Sequence, residues 1–312
     1  MSLNERLEQL TKKLDEMQSY RPLDMQQLAV LDKSKKFEHI WSSTKLEGGT
    51  LEYSETEAIL DAGVTLHGVP VKDILETLDL SEAYDYMKAL VTGEQAINER
   101  VIQQLNRFAT LQSMKGEGIP GAYRVVPVRP RGAEFNPYPQ PHLIRKQMED
   151  LIFWNEKAQY ELHPVQYAAE LHQRFVTIHP FLDGNGRTAR LLMEFALTRN
   201  GYPITIIQPD IQSRIKYMNV LAETQKTGNR TPFTALVADY VDKELDERIE
   251  VLKLYEENIK QTEHQKNSTS VNVENNSSKF YEKLASAKKH QEKALNSSDN
   301  QETKSNDISP KL

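Results

Sequence analysis

Residues 163–203 read HPVQYAAELHQRFVTIHPFLDGNGRTARLLMEFALTRNGYP. Ala168, Leu171, Phe175 and Ile178 recur at spacings of three and four, which predicts one amphipathic helix. Ala189, Leu192, Met193, Ala196 and Leu197 mark the apolar face of a second helix, ended by Asn200-Gly201. Between the two, IHPFLDGNGR has no apolar period of its own. Gly184, Asn185 and Gly186 tolerate a positive φ, so their backbone N–H groups can converge into an anion-binding nest. That nest runs into a helix N-terminus, whose dipole favours phosphate. Arg187 and Arg190, three apart on the first turn, share a side where guanidinium forks can grip phosphate oxygens. Cations there oppose the macrodipole at about 0.3–1 kcal/mol each, so the placement makes sense when an anion sits beside them. Asp183 precedes the nest and supplies the carboxylate that Mg²⁺ needs beside a polyphosphate. His179 opens the loop and is a natural general base near neutral pH. A base, a metal carboxylate, a phosphate nest and two arginines within 12 residues describe phosphoryl or nucleotidyl transfer.

Composition narrows the class. The chain has 312 residues, 38% hydrophobic and 27% charged, with a net charge of -6. An acidic balance argues against nucleic-acid binding through bulk positive charge. With no cysteine, disulfide scaffolds, thiolate metal sites and thiol nucleophiles are excluded. No apolar run approaches the ~20 residues of a membrane helix, and MSLNERLEQL lacks a signal-peptide core. A soluble, cytoplasmic protein is the expectation.

Outward from the central stretch, the body reads as helical. Leu3, Leu7, Leu10, Leu14 and Met17 form a stripe that predicts an N-terminal helix packed on its own domain, ended at Tyr20-Arg21-Pro22. Ser54 with Glu57 predicts a capping box opening a helix that Gly63 closes. Further helices are expected around Leu80–Leu90, Ile97–Leu111 and Leu143–Trp154. GAYRVVPVRPRGAEFNPYPQPHLI, residues 121–144, holds five prolines and a β-branched run at Val125–Val128, and predicts a short hairpin with an extended exit. From Thr262 onward, 22 of 51 residues are Ser, Thr, Asn or Gln, which predicts a disordered tail with a transient helix around Phe280, Leu284 and Ala287. Gly116–Gly121 matches G-x-G-x-x-G, but no strand precedes it and no helix follows, so the dinucleotide reading fails. The histidines outside the central motif show no metal spacing.

The segment His179–Arg190 resembles, at every defining position, the signature H-x-F-x-[D/E]-G-N-G-R-x-x-R of the Fic family. The likeness extends to GAYR at 121–124, similar to the family's flap, and to GYPITII followed by SRIKYM. It implies a mainly α, Fic-type helical bundle with a small β-hairpin flap. The expected division is 1–112 N-terminal helical region, 113–261 catalytic core and 262–312 tail. It further implies transfer of AMP from ATP, with Mg²⁺, to a Ser, Thr or Tyr hydroxyl of a target protein. His179 would deprotonate that hydroxyl and Asp183 would hold Mg²⁺. Asp183, Gly184, Asn185, Gly186, Arg187, Thr188, Ala189 and Arg190 would line the phosphates, and Tyr217 would lie on the adenine side. Phe181 would anchor the loop. Ser43-Thr44-Lys45-Leu46-Glu47-Gly48 resembles the family's inhibitory pattern [S/T]-x-x-x-E-[G/N], in which Glu47 pairs with Arg190.

Three alternatives stay open on sequence alone. One is the same fold with another donor or direction, such as UMP or phosphocholine transfer, or AMP removal. Another is a nucleotide sensor without turnover. The last is an interaction scaffold built on the N-terminal helix and tail. Self-modification and a homodimer are left open too; no membrane and no nucleic-acid partner is expected.

Overall fold

The computed structural model describes residues 2–65, 68–130 and 135–268, with 263–268 as backbone only. The expected tail helix around Phe280 lies outside these residues. Ten α-helices occur among the described residues. They are α1 Leu3–Ser19, α2 Met25–Leu46, α3 Tyr53–Glu57, α4 Val71–Thr92, α5 Glu99–Phe108, α6 Ile144–Glu161, α7 Pro164–Ile178, α8 Asn185–Arg199, α9 Ile211–Thr227 and α10 Thr231–Ser268. The chain forms two units, residues 1–252 and 253–312. All that follows concerns the first. None of the described helices is long and apolar enough to cross a membrane.

The pair α7–α8 is the centre. Leu171, Phe175, Leu192 and Phe195 are fully buried in it, and α6, α4, α5 and α2 pack around it. The first half of α10 adds Phe233, Val237 and Val241 to the same core. The N-terminal stripe behaves as its spacing predicts. Leu7, Leu10 and Leu14 are buried, each worth about 1.5–3 kcal/mol as removed apolar surface. Lys13 pairs with Asp242 and Asp246 at 2.6 Å. Thus α1 packs on its own domain.

Two local expectations need correction. The helix at 53 is capped at Glu52, not at Ser54: the Glu52 N–H donates to the Glu55 carboxylate at 2.8 Å. Ser54 lies one residue inside the helix, where its hydroxyl can no longer cap. Gly63, at φ +65, closes the segment as expected, after a π-type turn over Ala58–Ala62. The flap expected as a β-hairpin shows no strand ladder among the described residues. Its one bridge joins Tyr123 to Phe181. Pro127 and Pro130 remove ladder donors from the β-branched run. The arms meet instead through a side chain, Asn136 Nδ2 donating to the Val128 carbonyl at 3.0 Å.

Candidate active site

The loop between α7 and α8 is fixed from within. The His179 N–H donates to the Phe175 carbonyl at 3.1 Å and ends α7. Pro180 then blocks a further turn. His179 sits in the left-handed region at φ +49, a conformation that costs a non-glycine residue about 1–2 kcal/mol. Phe181 is buried against Phe175 and Tyr123, as expected of an anchor. The Asn185 side chain spans the bend: it accepts from the Phe181 N–H at 3.0 Å and donates to the Phe181 carbonyl at 2.9 Å. Gly184 caps α8 at φ +75, where a Cβ would strike Thr110 and Asn106. Asn106 in turn donates to the Asp183 carbonyl at 2.9 Å and to Thr188 Oγ1 at 3.2 Å.

This scaffold sorts the expected residues. Thr188 and Ala189 are fully buried, and the Thr188 hydroxyl donates to the Gly184 carbonyl at 2.8 Å. With Asn185 also engaged, these three residues have only backbone to present. The Gly184–Arg187 backbone, Asp183 and the two guanidiniums make the polar lining of the bend. Gly186 is a helical residue, not a positive-φ one. Its missing Cβ matters because that atom would overlap the Glu47 carboxylate.

The two arginines leave the helix from one side and find different partners. Arg187 donates to the Ala109 carbonyl at 3.0 Å and to Asp183 at 3.3 Å, with Glu76 at 3.7 Å. Arg190 donates through Nε to the Ser43 hydroxyl at 2.7 Å, and through one terminal nitrogen to the Ser43 carbonyl at 2.9 Å and Glu47 at 2.7 Å. Burial pushes the Glu47 carboxyl up, but the Arg190 charge and hydrogen bond override it and hold it below the ordinary value. The C-terminus of α2 aims this carboxylate. Gly48, at φ +99, permits paired closing bonds: its N–H donates to the Lys45 carbonyl and the Gly49 N–H to the Thr44 carbonyl, both at 3.0 Å. From α9, Arg214 donates to the Leu46 carbonyl at 3.0 Å.

The His179 ring is stacked under Tyr138, centroids 3.9 Å apart and planes 19° from parallel. Burial lowers its pKa to about 4; the Arg124 charge acts the same way, while the Val176 carbonyl, Glu47 and Asp183 oppose. The imidazole is therefore neutral near pH 7, as an acceptor of protons must be. The Tyr217 ring, by contrast, is only 2% exposed and offers no open face to a base. Its hydroxyl lies 2.9 Å from His172 Nε2, and it stands beside Arg190. The structure places Tyr217 in a buried position behind Arg190.

Sequence reasoning missed Tyr138, Asn106, Glu76 and the work of Arg124. Asn106 stands out only as a polar residue on the apolar face of α5, which does not say what it holds. Among the described residues no group of three or more acidic or histidine side chains could hold a metal ion. The Asp183 carboxylate, 41% exposed at the mouth of the nest, fits an ion that brings most of its own ligands. Mg²⁺ on a polyphosphate is such an ion, needing one or two carboxylates.

Comparison with known proteins agrees with this arrangement. The family model described as Fic/DOC family matches residues 96–197. A protein adenylyltransferase Fic of Culex quinquefasciatus is 35% identical over 243 residues, 77% of this chain and 47% of that protein. One of Aedes aegypti is likewise 35% identical over the same shares. The chain thus spans about half the length of these curated relatives. A Fic-domain-containing signalling protein from Bacteroides thetaiotaomicron is 30% identical with a TM-score of 0.70, covering 80% of this chain and 97% of that one. Fic-1 of C. elegans, 24% identical over 81% of this chain and 73% of its own, shares the fold with a TM-score of 0.70.

Proposed function

The chain belongs to the Fic/DOC family, and on that premise we propose that it is a protein adenylyltransferase held off by its own α2 helix. The observation that carries the reading is the first turn of α8. Its Gly184 cap, two buried guanidiniums and a neutral imidazole surround one bend. ATP phosphates bind along the Gly184–Arg187 backbone, neutralised by Arg187 and Arg190. The hydroxyl oxygen of a target Ser, Thr or Tyr attacks the α-phosphorus. Its proton passes to His179, the bond from the α-phosphorus to the bridging oxygen breaks, and pyrophosphate leaves. Asp183 would hold Mg²⁺, which when bound offsets phosphate charge as a Lewis acid. Use of ATP and Mg²⁺ suits a cytoplasmic setting.

Self-inhibition rests on the Glu47–Arg190 pair. The carboxylate lies against Gly186 and occupies the cation that a terminal phosphate would use. Only Arg187 then remains for the phosphates, so a nucleotide settles in an unproductive pose. The chain then divides as 1–112, a helical region that carries the inhibitory motif, 113–261, the catalytic core, and 262–312, the tail, with Asn106 and Ala109 of the first region bracing the catalytic loop. Intact-mass measurement of Glu47→Gly with Mg²⁺ and each of ATP, GTP, CTP and UTP, on the protein itself and on added lysate proteins, tests this. One AMP added from ATP, and none in the Glu47→Gly/His179→Ala double variant, is expected. No adduct from any nucleotide while ATP still binds would refute transferase activity; a UMP adduct would refute the donor assignment.

A further inference from the structure

Arg124 is 4% exposed, yet it makes no ion pair shorter than 4.0 Å with the described acidic residues. Its guanidinium gives every bond to a backbone carbonyl. Nε donates to His179 at 2.8 Å, one terminal nitrogen to Val126 at 2.9 Å and the other to Pro139 at 2.8 Å. Three carbonyls from three segments thus converge on one planar fork. Val126 lies on the incoming arm of the flap, Pro139 on the outgoing arm, and His179 is the base. The Arg124 N–H adds a fourth tie, donating to the Pro180 carbonyl at 2.9 Å. Pro139 follows Tyr138, the ring that covers the imidazole. With no strand ladder among the described flap residues, this side chain is what binds both arms to the catalytic loop.

We propose that Arg124 is a positioning residue that couples the flap to the general base, holding His179 in its left-handed backbone and Tyr138 over its ring. A target strand that docks on the flap pulls on the same guanidinium, so engagement of the target and exposure of the imidazole become one event. A lysine keeps the charge but has no fork, and can satisfy only part of this geometry. The inference rests on His179 being the base, but its first test does not need turnover.

The experiment follows the His179 ring by NMR titration in the full chain carrying Arg124→Lys. The charged and titratable groups facing that ring are Arg124, Glu47, Asp183 and Tyr138, and all but the fork survive in this variant. The midpoint should rise from about 4 toward the ordinary 6.5, by about one unit or more, as the ring gains solvent. In the Glu47→Gly background, kcat should fall about tenfold while KM for ATP stays within about twofold. Should Arg124→Lys fail to fold, Tyr138→Leu leaves the fork intact, uncovers the ring and must raise the same midpoint. An unmoved midpoint in either folded variant overturns the proposal. A shifted midpoint in a protein that transfers nothing would sustain the coupling and instead sink the transferase reading.

Discussion

Arg187 and Arg190 leave the same turn of α8, are both almost fully buried, and live in opposite surroundings. Arg187 is held by an in-place set of acceptors from α4, α5 and its own loop: Glu76, the Ala109 carbonyl and Asp183. Arg190 is held by the end of one helix, through Ser43 and Glu47. Two buried histidines, His39 and His172, also face Arg190, each with its pKa lowered to about 3, by burial first and by the Arg190 charge second. Arg187 thus has two carboxylates beside it, Glu76 and Asp183, whereas Arg190 has one, Glu47, and two neutral imidazoles. The first is part of the architecture; the second is held by a contact that a competing anion could replace.

The largest effect expected at this turn comes from removing the base they serve. His179→Ala should lower AMP transfer by about 10²–10⁴ in the Glu47→Gly background, with ATP affinity changed less than about threefold because both arginines remain. Radiolabel transfer and calorimetric binding check the two halves. Next, Arg187→Met should cost about 3–5 kcal/mol, the range for breaking a buried ion pair. Arg190→Met should cost less, because its one carboxylate, Glu47, is 39% exposed and can rehydrate, whereas Arg187→Met also strands Glu76, only 12% exposed. Urea titrations of both decide the comparison; equal losses would erase it. Glu47→Gly should raise transfer at least about tenfold, equivalent to about 1.4 kcal/mol of relief, while lowering the melting temperature, because Arg190 stays buried without its carboxylate.

Acid should separate the two arginines by a smaller margin. Burial keeps His39, His172 and His179 neutral when folded, at about 3, 3 and 4, against 6.5 unfolded. Their contribution is complete above about pH 6.5 and is lost as pH falls through that window, because the unfolded chain takes up protons first. Glu47, with its pKa depressed, contributes fully above 4.5 and loses its share only below that. Stability should therefore decline from pH 6.5 downward while the Glu47–Arg190 latch stays charged. Hydrogen exchange at α2 between pH 7 and 5 would show the Arg190 side loosening before the Arg187 side.

How much of this was legible depended on how local the causes were. The loop was readable because Pro180, Gly184, Asn185 and the apolar stripes of α7 and α8 act within a few residues of themselves. Glu47 was readable as a pattern, though its target lies 143 residues away. Asn106 and Glu76 were not, because a single polar residue on a helix gives no hint of a loop 77 residues on. The Val125–Val128 run read as a strand by propensity, and two prolines together with the Arg124 fork overrode it. Tyr217 read as a ligand contact by resemblance, and its partner His172, 45 residues away, left no mark in the local sequence. Tyr138 sits in a proline-rich exit where periodicity is silent.

The central claim, that the bend between α7 and α8 places a triphosphate for attack at its α-phosphorus, is tested most directly by label position. Glu47→Gly is incubated with Mg²⁺ and ATP labelled at either the α- or the γ-phosphate, in a lysate, beside the Glu47→Gly/His179→Ala protein. The account predicts protein-bound label from α-labelled ATP alone, absent in the double variant. Label arriving from the γ-phosphate, or α-label that persists without His179, would contradict it.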